Sequence, residues 1–482
     1  MYTVDFNKPA NIYFIGIGGS SMSGLAEIML KRGFHVSGSD PAENSSIDKL
    51  KEIGIKVNKC QEAANITDDI DFIIYTAAIS QTNPEYLKAT ELGINMLERA
   101  PFLGQLMKLY KNTIGVAGTH GKTTTSSMVA CILLSAGIDI SASLGGVCDE
   151  IGGNSKSGTS DYFVAESCEY KRSFLSFNPS HEIVTNIEAE HLDYYKDIDD
   201  IRSAFRDFLK KPSKDGYIVI NGDIEKVNEL TNGLPGHVLF YGVCEDNNEI
   251  NAITKYDYFA RNISFDECGH GEFDLMHSLK SQNSSEKIMH IKLGVVGMHN
   301  VSNATAAVAL CLCLGISIDK IIDALAKFHG AKRRFEIKGK LAGCVTIIDD
   351  YAHHPSEIRA TLNAAHKYPH KTIWTVFQPH TYSRLRKFLP DFASSLILSD
   401  RIVLTDVYAA REKDPGDISS LDLLKKINEL CPDNPSKAVY FSSFGEIEDF
   451  LLTNAVSGDI IFMMGAGSVI QIGDELLGRQ TS

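Results

Sequence analysis

The segment Gly115-Val-Ala-Gly-Thr-His-Gly-Lys-Thr-Thr-Thr125 constrains this chain more than any other. It lies where an apolar strand, Thr113–Ala117, gives way to a helix opened by three threonines. A glycine loop at such a junction presents backbone N–H groups and the positive end of the helix dipole to an anion. Lys122 can reach the β- and γ-phosphates of a nucleotide, and the Thr123 hydroxyl can ligate Mg2+. A strict Walker A motif has glycine at position 116, where this chain has valine, so the loop belongs to a distinct subtype. A chance Gly-Lys-Thr in an ordinary turn would not need a buried strand before it and a helix after it, and both are present.

Two further strand–glycine–helix units flank that one, which predicts α/β architecture with mainly parallel sheets. The first strand, Asn11–Ile15, enters Gly16-x-Gly18, and apolar residues at 22, 25, 26, 29 and 30 mark the helix that follows. Further strands end at Ser39–Asp40 and at Tyr75, before Thr76-Ala77. The middle section adds strands at Asp161–Ala165 and Glu182–Asn186. From Lys338 the pattern restarts with strand Val345–Ile348, helix Ser356–Tyr368, strand Thr372–Phe377 and a late strand Asp459–Met463. The expected division is 1–107, 108–330 and 331–482: Rossmann-like domains at both ends of a central P-loop-type ATPase domain. Residues 245–290 read as a polar insertion or a β-rich flap.

Acidic residues gather after the central strands. Glu166 and Glu169 follow one and Glu188, Glu190, His191 and Asp193 the next, at the carboxyl edge where open α/β sheets bind ligands. Such oxygen donors suit a hard cation. Asn300 and Asn303 precede an apolar helix and could read a base edge or cap that helix. Lys332-Arg333-Arg334 offers planar forks for phosphate. Asp349-Asp350-Tyr351-Ala-His353-His354-Pro355 and Phe377-Gln-Pro-His380-Thr-Tyr-Ser-Arg384 follow two more strands. Adjacent histidines on a loop rarely face one ion together, so a metal centre at His353-His354 is not expected. Gly16-x-Gly18 lacks the third glycine of a dinucleotide fingerprint, Ser21 standing in its place, although Asp40 has the spacing of a ribose-binding acid. A nucleotide diphosphate fits that loop better than NAD.

These ordered motifs resemble the Mur ligase family across nearly the whole chain: GIGGSSMSGLAEI, GTHGKTTT, AESCEY, TNIEAEHLDYY, GMHNVSNATAA, RRFE, DDYAHHPSEI, FQPHTYSR and DVYAAREKDPG. The histidine-rich loop and the FQPH segment are similar to the member that adds the first amino acid of the peptidoglycan peptide. The resemblance implies ATP-dependent joining of L-alanine to the lactyl carboxylate of UDP-N-acetylmuramate through an acyl phosphate. It places ATP on Gly118, Thr119, Gly121, Lys122, Thr123, Thr124, Asn300, Asn303, Arg334 and Asp350. UDP substrate falls on Gly16, Gly18, Gly19, Ser20, Ser21, Met22, Ser39, Asp40, Thr76 and Ala77. Thr123, Glu166 and His191 are matched to ligands of two Mg2+ ions, with Mn2+ as a substitute. Tyr351, His353, His380 and Arg384 match the amino-acid and acyl side, and Lys122, His191, Arg334 and His353 the catalytic set. Ser20, Ser21, Glu190, Thr381 and Arg411 depart from the usual pattern, and Thr381 puts one substrate contact in doubt.

Charge and cysteine usage bound the alternatives. A formal net charge of −14 argues against a non-specific nucleic-acid or anionic-membrane binder. Leu293–Ile318 lacks acidic and basic residues but is broken by His299, Asn300, Ser302 and Asn303, so no membrane insertion is expected. The ten cysteines are scattered without a C-x-x-C pair. Reduced cysteines are expected, some of them in the core, and neither a disulfide framework nor a zinc site. With no secretory leader in view, the reading is a cytoplasmic monomer or homodimer acting on small molecules. Three other readings exist: a murein-tripeptide recycling ligase of the same family, an NAD-dependent oxidoreductase on Gly16-x-Gly18, and a nucleotide sensor without turnover.

Overall fold

The computed structural model describes residues 2–192, 194–244, 249–341, 344–410 and 412–479. Asp193 and Arg411, singled out above, lie outside the described residues, as do 245–248. The chain divides into two compact units. The first comprises Met1–Asn262, Asp274–Ile291 and Ser302–Phe328, the second Ile263–Phe273, Lys292–Val301 and His329–Ser482.

Among the described residues the strands form three sheets. The first has five strands in the order Lys56–Asn58, His35–Ser39, Asn11–Ile15, Phe72–Tyr75 and Asn95–Glu98, all parallel. The second has ten. At its centre Asn112–Ala117 runs parallel to His181–Val184 on one side and Tyr162–Glu166 on the other. Buried on both faces, these strands are mainly apolar without an in-out alternation, although Thr113, His181 and Glu182 are buried among them. The first sheet and the central strands of the second lie in the first unit, where Phe14, Phe72 and Phe102 share one cluster with Phe163, Phe174 and Phe208. Phe174 stacks on Phe208 with ring centroids 4.6 Å apart. Gly104 is obligatory here, because a Cβ would stand 1.8 Å from the Ser176 carbonyl oxygen.

The third sheet, in the second unit, has six strands in the order Glu336–Leu341, Val345–Asp350, Ile460–Met464, Ile373–Phe377, Arg401–Leu404 and Ala438–Tyr440. Only the first of these pairs antiparallel. Its two faces bury alternate residues. Ile348, Phe377, Leu404 and Phe462 pack in one cluster, and Ile347, Val376, Val403 and Met463 in another.

The predicted strands fall within one or two residues of those observed, and the helix expected at Ser356–Tyr368 runs from Pro355 to Ala365. The segment read as an insertion or flap is β-rich, with a helix at Glu249–Lys255 and strands Tyr258–Phe265, His270–Leu279 and Ser284–Val296. No helix among the described residues is long and apolar enough to cross a membrane. The Leu293–Ile318 stretch is instead the end of a strand and the helix Met298–Cys313. All ten cysteines are unbridged. Cys131, Cys148, Cys244 and Cys311 are buried, and Cys313 is half-buried.

Candidate active site

In the first unit the strand Asn112–Ala117 delivers the glycine loop and the helix Lys122–Ser135 carries it away. Gly118 and Gly121 have φ of +142° and +80°, conformations that L side chains rarely adopt. A Cβ on Gly118 would stand 2.0 Å from Thr185 Oγ1, and one on Gly121 would stand 2.6 Å from Asn303 Oδ1. The next strand end fastens the loop. Thr119 N–H donates to the Asn186 carbonyl (3.1 Å), His120 N–H donates to Asn186 Oδ1 (2.7 Å), and Thr185 Oγ1 donates to the His120 carbonyl (2.6 Å). Thr119 Oγ1 in turn accepts from Glu188 N–H at 2.9 Å.

Lys122 folds back over this loop. Its ammonium donates to the Gly118 and Thr119 carbonyls and lies 3.0 Å from Glu169 Oε2. Burial would lower the lysine, but Glu169, Cys168 and Glu166 hold it above its ordinary value. For Glu169 burial would raise the carboxyl, and Lys122 with His191 keeps it below the usual range. Both groups are therefore charged, a buried pair that needs each partner. His191 Nε2 approaches Glu169 Oε1 at 3.4 Å, and its ring packs on Tyr170 at 4.7 Å. Beside them Thr123 Oγ1 donates to Glu166 Oε2 at 2.7 Å, an oxygen that also accepts from Gly145 N–H at 2.9 Å. Of the residues read as metal ligands, Thr123 and Glu166 touch each other, while His191 meets Glu169. Glu169 as partner of Lys122 and Gly145 as partner of Glu166 went unread in the sequence. The three-residue spacing of Glu166 and Glu169 was the available signal for the former.

The N-terminal loop is also in the first unit. Gly16 has φ +82°, and its N–H donates to the Ser39 carbonyl at 2.8 Å. Gly18 N–H donates to Asp40 Oδ2 at 2.9 Å, so Asp40 braces the loop. Ser39 Oγ turns inward to the buried Glu85 carboxylate. Ser20 meets Asn154, and Ser21 accepts from Arg99. Met22 packs into the core; Gly19 and Ala77 are exposed, and Thr76 N–H donates to the Ile15 carbonyl.

The second unit gathers the remaining residues. Arg333, at φ +62°, reaches Asp349 Oδ2 (3.1 Å) and the Gly465 carbonyl (2.7 Å), while Arg334 lies 3.7 Å from Glu357. Both guanidinium groups sit over the Tyr351 ring, at 4.9 and 5.1 Å from its centre. Asp350 is buried, accepts from Phe335 and Ala352 N–H groups, and is raised by burial against the pull of Arg334. Burial also pushes neighbouring Asp349 up to about 7, opposed by Arg333. His353 lies 3.2 Å from Glu357, and its ring stands 5.6 Å from that of His380. Arg384 Nη1 donates to His380 Nδ1 at 2.8 Å, and His380 stacks on Tyr408. Thus Arg334, Tyr351, His353, His380 and Arg384 form one continuous cluster. His354 instead pairs with Ser356 at its helix start, so the adjacent histidines have different partners. Asn300 donates to the Val296 carbonyl at 2.8 Å.

Sequence comparison matches three family models in succession. They are described as Mur ligase family, catalytic domain, over residues 11–111; Mur ligase middle domain, over 116–311; and Mur ligase, glutamate ligase domain, over 333–467. The chain belongs to the Mur ligase family. A UDP-N-acetylmuramate–L-alanine ligase of Lachnoclostridium phytofermentans is 50% identical over 99% of this Mur ligase and 100% of the relative. One from Clostridium acetobutylicum is 47% identical over 97% of each chain. Among solved structures, the UDP-N-acetylmuramate–alanine ligase of Thermotoga maritima superposes with a TM-score of 0.80 at 28% identity, covering 98% of this chain and 99% of that one. A murein peptide ligase of Psychrobacter arcticus gives 0.70 at 25% identity, covering 97% and 98%. The α/β Mur ligase fold, with mostly parallel sheets, is therefore the fold of this chain.

Proposed function

We propose that this Mur ligase joins L-alanine to the lactyl carboxylate of UDP-N-acetylmuramate in peptidoglycan precursor synthesis, with ATP converted to ADP and phosphate. Full-length relatives at 47–50% identity support the choice of substrates. The observation that carries the chemistry is the Lys122–Glu169 pair seated in a loop that Gly118 and Gly121 keep clear of side chains.

The carboxylate attacks the γ-phosphorus, giving an acyl phosphate and ADP. The L-alanine amine then attacks the acyl carbon and phosphate leaves. Carboxylate and triphosphate repel each other, so rate comes mainly from positioning and charge neutralisation. Lys122, Thr119, Gly118, Gly121, Thr123 and Thr124 would cradle the phosphates, with Asn303 behind Gly121. Asn300, Asp350 and Arg334 are assigned to the nucleotide on the evidence of family pattern, and the N-terminal loop from Gly16 to Met22, with Ser39, Asp40, Thr76 and Ala77, to the UDP substrate. Tyr351, His353, His380 and Arg384 would receive the amino acid and the acyl group. The oxygen donors of Thr123 and Glu166, 2.7 Å apart, fit a hard divalent cation, and His191 is assigned to a second by family pattern. Mg2+ or Mn2+ held there would neutralise triphosphate charge. We assign functional divisions 1–107, 108–330 and 331–482, a cytoplasmic location, and a monomer or homodimer.

An ADP-release assay tests the reading. Lys122→Ala should abolish turnover, and ADP formed at the full rate without UDP-N-acetylmuramate would contradict it. Offering L-alanine and a murein tripeptide in parallel decides against the recycling ligase if only L-alanine is consumed.

A further inference from the structure

The hairpin between strands Tyr258–Phe265 and His270–Leu279 carries Asp266, Cys268 and His270, one ligand atom from each lying within 4.8 Å of the others. The turn that presents them is held by main chain and one carboxylate. Asp266 N–H donates to the His270 carbonyl (3.0 Å), Gly269 N–H donates to the Asp266 carbonyl (3.0 Å), and Asp266 Oδ1 accepts from the N–H groups of Cys268 and His270 (both 2.9 Å). Gly269 supplies the left-handed residue, φ +79°, that the reversal needs. The turn therefore uses only backbone from positions 268 and 270. Their thiol and imidazole are not required to close it, yet both converge on Asp266, whose Oδ2 lies 2.9 Å from His270 Nδ1. Cys268 is exposed and His270 partly so, which leaves them open to a solute.

We infer that Asp266, Cys268 and His270 form a binding site for a borderline-soft divalent cation of the Zn2+ kind. One sulfur, one nitrogen and one carboxylate oxygen are donor types that zinc accepts together, whereas Mg2+ and Ca2+ prefer oxygen and do not take thiolate. Donors around a tetrahedral zinc stand roughly 3–4 Å apart, so small side-chain rotations bring these three into place. Water completes the fourth position. This site is independent of the ligase reading, since none of its residues is assigned to substrate.

The test uses the full-length chain titrated with Co2+ alone and with Zn2+ alone. One equivalent of Co2+ should give a thiolate-to-metal absorption band that disappears in Cys268→Ser, and His270→Ala should weaken Zn2+ binding about tenfold or more. Zn2+ should also slow alkylation of Cys268, read by peptide mass, while exposed Cys60 and Cys344 react as before. Both variants should keep the parent's thermal midpoint, the turn being held by backbone. A band that survives Cys268→Ser, a band lost instead in Cys131→Ser, Cys268 alkylation indifferent to Zn2+, or no binding by the parent chain would each overturn the proposal.

Discussion

The glycine loop of the first unit and the arginine–histidine cluster of the second are built from different parts. The loop is made of backbone. Glycines at +142° and +80° keep side chains out of it, the Asn186 backbone and side chain fasten two of its amides, and the buried Lys122–Glu169 ion pair lies against it. The cluster is made of side chains, Arg334 over Tyr351 and His353 beside His380 and Arg384, contributed by three segments of the sequence. Backbone recognition tolerates almost no change in shape. Side-chain recognition divides its work among several groups, each of which can be lost separately.

Gly118→Ala places a methyl 2.0 Å from Thr185 Oγ1 and should cost about 10³-fold or more in ADP release, because every amide of the loop moves at once. Glu169→Gln leaves Lys122 without its carboxylate and should lower stability by about 3 kcal/mol, measured by urea unfolding; adding Lys122→Met should recover part of that loss. His181, on the strand beside the loop, is lowered to about 4 by burial, and its Nδ1 accepts from Tyr217 N–H. The unfolded histidine takes a proton below about pH 6.5 while the folded one stays neutral to about pH 4. Stability is therefore lost as pH falls through that window, by up to about 1.4 kcal/mol per pH unit, and His181→Asn should flatten the slope. Arg384→Ala should raise KM for L-alanine about tenfold with KM for ATP unchanged; an equal rise in both would erase the contrast. Thr381, at φ +67°, should gain about 1 kcal/mol on change to glycine, read as a higher thermal midpoint.

The same contrast explains how much of the molecule the sequence discloses. Glycine spacing between an apolar strand and a helix is a local pattern, so the loop, its lysine and its threonine are legible directly, and so is the parallel architecture around them. Apolar runs located the strands to within one or two residues because both faces are buried. The Lys122–Glu169 pair is not local. It depends on two neighbouring strands ending at the same edge, and nothing in the spacing of residues 122 and 169 announces that. The cluster at His353, His380 and Arg384 is less legible still, since strand order alone decides which loops share an edge. Those residues were found through family pattern, and the hairpin of Asp266, Cys268 and His270 was overlooked because its residues carry no familiar spacing.

Lys122 rests on two carbonyls of its own loop and on Glu169. On the proposed reading, a triphosphate arriving there would exchange partners with an ammonium already satisfied, so that its net gain would be a difference between two well-coordinated states. When the nucleotide left, the same partners would be waiting, and the ammonium would not be stranded. On the proposed reading such a resting state would favour release over retention, as repeated turnover requires.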